Sequence, residues 1–159
     1  MHVNGARLVG DDVAITASTD VDGEAGEAGR QRDFISLGIK DGYLVFMFQL
    51  GSGIAEIKWT AFRVDDDVEH VAYIQRSGTL GYLTVDDNVN KASGEAEGQN
   101  VRLDVPGPVY LGGAPDVSRH TGGQFTMGIV GCISKLQIHS GEVNLQSEAV
   151  GGENVGPCN

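Results

Sequence analysis

The side chains that could do chemistry in this chain are mostly carboxylates, since it holds 22 Asp and Glu residues but only four histidines and two cysteines. A pair of carboxylates cleaves glycosides when the two flank the bond at about 5–5.5 Å or about 6.5–9.5 Å. No strand-like segment carries the alternating acids that would hold such a pair. Glu24 and Glu27 lie in a glycine-rich stretch that is poorly suited to fix their geometry. We therefore expect no glycosidase site.

Motifs for nucleophilic, phosphate and zinc chemistry are absent from the sequence as well. No Gly-X-Ser-X-Gly elbow is present, and Gly51-Ser-Gly53 has the composition of a hairpin turn. No glycine-rich nucleotide-binding loop is found. The histidines are scattered without ligand spacing, and two cysteines without supporting histidines do not make a zinc site. The sequence thus predicts a protein that is not an enzyme.

The two cysteines, Cys132 and Cys158, allow two interpretations. In a secreted domain they would form one disulfide, whereas in a cytosolic protein they would be two unrelated thiols. A bond between them would close a loop of about 25 residues and stabilise the fold by about 3.5 kcal/mol in the chain-entropy model.

Charge and hydropathy restrict the possible partners. The formal net charge of −11 makes the molecule repel nucleic acid, so we expect no nucleic-acid partner. No apolar segment approaches the length of a membrane helix, so no membrane insertion is expected. The N-terminal sequence lacks the apolar core of a signal peptide. If the protein is secreted, we therefore expect this chain to be a mature fragment or an expression product.

The apolar pattern predicts an all-β fold, an antiparallel β-sandwich, because short runs of β-branched residues alternate with Gly, Asp and Asn clusters. Phe34–Leu50 is predicted to be a hairpin that turns at Asp41-Gly42. Its second strand, Tyr43–Leu50, is almost continuously apolar, which is typical of a strand buried on both faces; the alternative is an aromatic cofactor box. Other strands are expected in these segments: Val13–Thr19, Ala55–Trp59, Val68–Gln75, Tyr82–Val85, Val109–Leu111, Gly131–His139 and Glu142–Leu145.

The remaining polar stretches are expected to be loops. Asp86–Gln99 is predicted to be a polar loop. The acidic runs Asp65–Asp67 and Asp86-Asp87 are predicted to be solvated turns. A third acidic stretch, Asp20–Glu24, resembles the start of an EF-hand, but it lacks Gly at the sixth position and has Gln31 where Glu is needed at the twelfth, so an EF-hand is not expected.

Five segments resemble the laminin-G-like domain family. Asp33–Gly53 is similar to the central hairpin of that family, and Val109–Asp116 and Gly131–Ile133 are similar to its late strands. Gly122–Gly128 fits the loop between those strands, and Gly23–Gly29 resembles the loop before the hairpin. The resemblance implies a jelly-roll sandwich of the concanavalin/laminin-G-like type, and it favours the Cys132–Cys158 disulfide of a secreted protein.

The resemblance also implies a calcium site at the sandwich rim. Carried over to this sequence, its side-chain ligands are Asp33 and Asp104, and its carbonyl ligands are those of Leu50 and Arg102. Calcium prefers six to eight hard oxygen ligands, so four from the protein leave positions for water or for a partner's oxygen. From spacing alone, Asp33 and Asp104 would be ordinary loop aspartates of an acidic protein.

Three departures from the family pattern stand in the first half of the chain. The Trp-His pair that the family carries near position 68 is replaced by Val68-Glu69, and the strand before the Gly/Glu loop is unusually polar. The family's opening strand is expected to be missing or much altered in Met1–Gly10. We therefore expect residues 1–159 to form one laminin-G-like domain with truncated or divergent N-terminal strands.

The function implied by the resemblance is adhesion in the extracellular matrix of the basement-membrane type. The implied partners are cell-surface receptors of the integrin or dystroglycan class, other matrix proteins and acidic glycans. Two alternatives remain open at this point: a lectin-like carbohydrate-binding domain, and a structural or engineered β-sandwich without a ligand.

Overall fold

The computed structural model describes residues 2–9, 13–18, 33–86, 89–105, 108–138, 141–153 and 155–157, with backbone only for the first two ranges. Within these ranges the secondary structure consists of eleven strands and one single-turn helix. The elements are β1 (His2–Val9), β2 (Val13–Ser18), β3 (Phe34–Lys40), β4 (Tyr43–Gln49), β5 (Ile54–Lys58), β6 (His70–Ser77), β7 (Leu80–Val85), β8 (Ala92–Glu95), β9 (Val109–Tyr110), α1 (Val117–His120), β10 (Val130–Ile138) and β11 (Gly141–Glu142).

The strands form two antiparallel sheets. One has the order β11-β10-β1-β6-β7-β8, and the other has the order β5-β4-β3-β2-β9. Most of the interior lies between them, where Phe46 and Phe48 of the second sheet meet Ile74 and Leu83 of the first. The predicted antiparallel β-sandwich is thereby confirmed.

The central hairpin forms as predicted. β3 and β4 pair from Phe34↔Gln49 to Lys40↔Tyr43, and the two residues between them are Asp41 and Gly42. Both have positive φ, 52° and 80°, which is the backbone that a two-residue turn needs to match the twist of its strands. The Asp-Gly pair therefore fixes the register of the hairpin and, with it, the position of both of its ends.

Strand β4 is buried on both faces, as its sequence predicted. Leu44, Phe46 and Phe48 pack between the sheets, while Val45 and Met47 point to the other face. On that outer face they join a second cluster with Phe34, Val117 and Phe125. The segment around α1 thus covers the outer face of the five-stranded sheet.

Two strands lie in segments for which the sequence predicted none. Met1–Gly10, where the family's opening strand is expected to be missing or much altered, contains β1, which pairs with β10 on one side and β6 on the other. The expected polar loop Asp86–Gln99 contains β8, which pairs with β7. Neither strand has a strong apolar pattern, and each is ordered by the backbone hydrogen bonds that its neighbours offer.

Close approach of the two sheets depends on Gly81 in β7. A Cβ atom at this position would lie 2.5 Å from Phe48 Cε1 and 2.8 Å from Ile57 Cδ1. We expect Gly81→Ala to lower the free energy of unfolding by about 1–3 kcal/mol, because the added methyl overpacks the interior. Urea unfolding would measure this, with Gly151→Ala as the control because a Cβ there meets nothing within 4 Å. Equal unfolding midpoints for the two variants would contradict the expectation.

Candidate functional site

The predicted ligands Asp33 and Leu50 lie at the open end of the β3–β4 hairpin. Phe34 and Gln49 are the last paired residues at that end, so Asp33 and Leu50 are the next residue on each strand. Both are buried, and the Asp33 residue is only 7% exposed. Hairpin register therefore places this carboxylate and the Leu50 backbone beside each other at the sandwich rim.

The other two predicted ligands reach the same place from a distant part of the sequence. The backbone N–H of Asp104 donates a hydrogen bond of 2.9 Å to Oδ2 of Asp33, across 71 residues of chain. The Nε–H of Arg102 donates to Oδ1 of Asp104 at 2.8 Å. The structure thus brings all four predicted residues to one rim.

A buried glutamine shapes the turn next to these ligands. Oε1 of Gln49 accepts hydrogen bonds from the backbone N–H groups of Gly51 and Gly53, both at 2.9 Å. Because Gln49 is buried, its amide oxygen needs donors in the protein, and the turn supplies them. The role of Gln49 was not predicted; its signal in the sequence is a polar side chain at the end of an apolar strand, two residues before Gly-Ser-Gly.

The segment that leads to Asp104 is fixed to two other elements as well. Asn100 Nδ2 donates to Ser52 Oγ at 3.0 Å, which joins this segment to the turn after β4. Arg76 of β6 donates through Nη1 to the carbonyl of Val101 at 3.0 Å. Residues 100–104 are therefore attached to β6, to the β4–β5 turn and to Asp33.

The chemistry of this donor set fits calcium. Carboxylate and backbone carbonyl oxygens are the hard ligands that calcium takes. The carboxylate of Asp104 is partly exposed and already holds a cationic group, the Arg102 guanidinium. Among the described residues no three His, Cys, Asp or Glu side chains come together as a metal cluster. The predicted site takes only two of its four ligands from side chains, so such a cluster is not required.

A second polar cluster, which the sequence analysis missed, surrounds His70 at the other end of β6. Its Nδ1 lies 2.6 Å from Asp86 Oδ2, and its Nε2 lies 2.9 Å from Asp66 Oδ1. Asp86 directly follows β7, and its other oxygen accepts the N–H of Val71 at 2.7 Å. Phe62 stacks on the imidazole at 5.7 Å between ring centroids. His70 therefore joins the β5–β6 loop to the ends of two strands.

The surroundings of His70 favour its charged form. Burial lowers the pKa of His70, but hydrogen bonds to Asp86 and Asp66 and their negative charges together raise it above its ordinary value. The same contact lowers the pKa of Asp66. Asp66 and Asp86 are exposed residues of turns, as predicted, and in addition both bind His70. Asp65 is partly buried and pairs with Arg63, which the prediction did not include.

The predicted disulfide joins Cys132 to Cys158. Cys132 is partly buried on β10, but Cys158 lies outside the described residues, so their pairing stays a prediction.

In the described ranges, no helix combines the length and the apolar character needed to cross a membrane.

Among known proteins, this chain is similar to two basement membrane proteoglycans and to pikachurin. The chain is 37% identical over 129 residues to the basement membrane proteoglycan of Caenorhabditis elegans, a match that covers 81% of this chain and 4% of that protein. It is 39% identical over 140 residues to the basement membrane-specific heparan sulfate proteoglycan core protein of Mus musculus, covering 83% of this chain and 4% of that one. Pikachurin of Homo sapiens is 38% identical over 127 residues, covering 79% and 12% respectively. The chain thus spans a small fraction of the length of these relatives.

Solved structures and a family model agree with those relatives. Mouse laminin alpha1 chain, domains LG4-5, superposes with a TM-score of 0.74 at 24% identity, over 91% of this chain and 36% of that one. The LG1-3 region of the laminin alpha2 chain gives a TM-score of 0.71 at 14% identity, over 89% and 28%. At these identities the likeness shows the fold, the predicted jelly roll. The model of the Laminin G domain matches residues 22–141, and the chain therefore belongs to the laminin G domain family.

Proposed function

We propose that this chain is a binding module of the extracellular matrix that holds one calcium ion at its rim. The ion would be bound by the carboxylates of Asp33 and Asp104 and the carbonyls of Leu50 and Arg102. The observation that supports this most is the hydrogen bond of 2.9 Å from the Asp104 N–H to the Asp33 carboxylate. It joins two acids that are far apart in sequence at the end of the central hairpin. When bound, calcium offers further coordination positions to oxygen atoms of a partner.

The partner classes follow from the charge of the molecule and from the family. With a net charge of −11, the surface as a whole repels anionic ligands. A divalent cation at the rim would create one place where a carboxylate or a sulfated sugar is attracted. We propose cell-surface receptors of the integrin or dystroglycan class, matrix proteins and acidic glycans as partners. Binding, rather than catalysis, is the proposed activity.

An extracellular location and a Cys132–Cys158 disulfide complete the proposal. Disulfides persist in oxidising compartments, which include the extracellular space. The basement-membrane relatives support the same location.

Calcium is expected to raise the melting temperature of the protein. Calcium at about 100 times its dissociation constant adds about 2.7 kcal/mol to the free energy of unfolding. For a domain of this size that corresponds to a rise of about 5–10 °C. Thermal unfolding under non-reducing conditions, with calcium and with chelator, measures the effect. Equal melting temperatures in the two buffers would refute the calcium site.

Two variants and one control test whether the calcium-dependent rise in melting temperature requires the proposed ligands. Asp33→Asn keeps an oxygen that can accept the Asp104 N–H while it removes the charge, and Asp104→Asn changes a partly exposed side chain. Both are expected to stay folded and to lose the calcium-dependent rise. Glu69→Gln removes a negative charge from an exposed position outside the site and should keep the full rise. Loss of the rise in all three variants would point to general charge effects instead.

A further inference from the structure

The side chain of Arg102 is a cation that lies directly on a proposed calcium ligand. Its Nε–H donates to Asp104 Oδ1 at 2.8 Å, and the two side chains form an ion pair. The guanidinium side chain is 84% exposed and that of Asp104 is 50% exposed. Solvent therefore reaches both groups, and the pair can open without disturbing the interior.

The backbone around Arg102 is held in place on both sides. Asn100 is bonded to Ser52, the carbonyl of Val101 accepts from Arg76, and the N–H of Asp104 donates to Asp33. These bonds fix the chain before and after Arg102 and leave its long side chain exposed. Movement of the guanidinium toward or away from Asp104 is thus a side-chain rotation on a fixed segment.

The Arg102 guanidinium and a calcium ion at the proposed site would both bind the Asp104 carboxylate. The two positive charges repel each other when both are close to Asp104, and the repulsion grows as their separation falls. Occupation of Asp104 by either one therefore disfavours the other.

From this placement we propose that Arg102 is a tethered competitor of the metal and sets the calcium affinity of the rim. The inference rests on the proposed function, since it concerns the same site. In the metal-free protein the guanidinium neutralises the Asp104 carboxylate. Calcium binds at the expense of that ion pair, so its affinity is lower than the four oxygen ligands alone would give.

Isothermal titration with calcium chloride at low ionic strength tests the proposal on three proteins: the unmodified chain, Arg102→Gln and Lys91→Gln. Arg102→Gln removes the guanidinium but leaves the backbone carbonyl that is the proposed ligand. Its calcium dissociation constant is expected to fall about two- to five-fold, the range that matches removal of a partly exposed ion pair. Lys91→Gln loses the same charge from an exposed position before β8 and should bind calcium as the unmodified chain does.

The outcomes separate this inference from the proposed function. Calcium binding that is equal or weaker in Arg102→Gln than in the unmodified chain would overturn the competitor role and leave the calcium site standing. An equal gain in Lys91→Gln would also overturn it, because the cause would then be net charge. Absence of calcium binding in all three proteins would overturn the proposed function and this inference together.

Discussion

Replacement of Phe125 by alanine is expected to lower the free energy of unfolding by about 3–5 kcal/mol, the cost of removing a fully buried aromatic ring. Phe125 has no exposed surface and packs with Phe34, Val45 and Met47 on the outer face of the five-stranded sheet. Without the ring, a cavity opens between the sheet and the segment that covers it.

Polar contacts of the segment around Phe125 lie partly within the segment and partly at Lys40 of β3. Thr121 Oγ1 accepts the N–H of Phe125 at 3.0 Å and donates to the carbonyl of Val117 at 2.8 Å, so Thr121 orders the segment internally. Lys40 lies over the Phe125 ring at 5.2 Å from its centre. Lys40 Nζ also donates to Gln124 Oε1 at 3.4 Å, so apolar packing of the Phe125 ring and this contact both attach the segment to the sheet.

Urea unfolding, followed by the fluorescence of the single tryptophan, Trp59, would measure the effect of Phe125→Ala. Met127→Ala is the matched control, because Met127 belongs to the same segment but its side chain is largely exposed. The control should change the free energy of unfolding by less than about 0.5 kcal/mol. A change of similar size for Phe125→Ala would mean that the outer cluster contributes nothing to the fold.

Replacement of His70 by glutamine is expected to destabilise the protein by about 2–3 kcal/mol near pH 5.5. His70 is 7% exposed and both of its ring nitrogens lie at carboxylate oxygens, which only accept hydrogen bonds when ionised. Contacts at both nitrogens favour a ring that donates twice, the imidazolium, in agreement with the raised pKa of His70. A hydrogen bond to a charged group contributes about 1.5–3 kcal/mol, and glutamine cannot reproduce both.

The contribution of His70 depends on pH in a definite direction. Because the folded-state pKa of His70 is raised, its contribution is complete below the unfolded-state pKa of about 6.5 and is lost as the pH rises through the folded-state value. The pKa of Asp66 is lowered, so its contribution is complete above the unfolded-state value of about 3.9 and is lost as the pH falls through the folded-state value. The cluster is therefore strongest between about pH 4 and pH 6.5.

Urea unfolding of the unmodified chain and of His70→Gln from pH 5 to pH 9 would isolate this effect, since other titrating groups are common to both proteins. The difference between their free energies of unfolding should shrink as the pH rises. Parallel curves would show that His70 is neutral in the fold. The calcium-dependent rise in melting temperature should survive in His70→Gln, because His70 lies at the end of β6 opposite to the Arg76 contact with the rim.

The sequence predicted the elements whose local signals and packing agree. Asp41-Gly42 between two apolar runs specified the central hairpin, and the continuous apolar run of Tyr43–Leu50 specified a strand buried on both faces. Strand β8 was not predicted because its sequence, Ala-Ser-Gly-Glu, has no apolar pattern. It is ordered by backbone pairing with β7. For the same reason β1 could not be predicted: its order depends on β10 and β6, which lie far along the chain.

The candidate site was predictable only through the family resemblance. Asp33 and Asp104 are 71 residues apart and look like other aspartates of an acidic chain, and only the fold brings them into contact. The supporting residues could not be predicted, because the roles of Gln49 and Arg76 depend on which backbone groups face them. His70 was missed for a similar reason, since Asp66 and Asp86 come from acidic runs that resemble solvated turns.

The strands at the sheet edges have a consequence for solubility. In the described structure the edges are β5, β8, β9 and β11, with five, four, two and two residues. An exposed edge invites a second molecule to add a strand, and short edges with charged side chains discourage this. Glu56 and Lys58 on β5 and Glu95 on β8 supply such charges. In the described part of the chain, short and charged edges therefore disfavour the addition of strands from other molecules, even at high protein concentration.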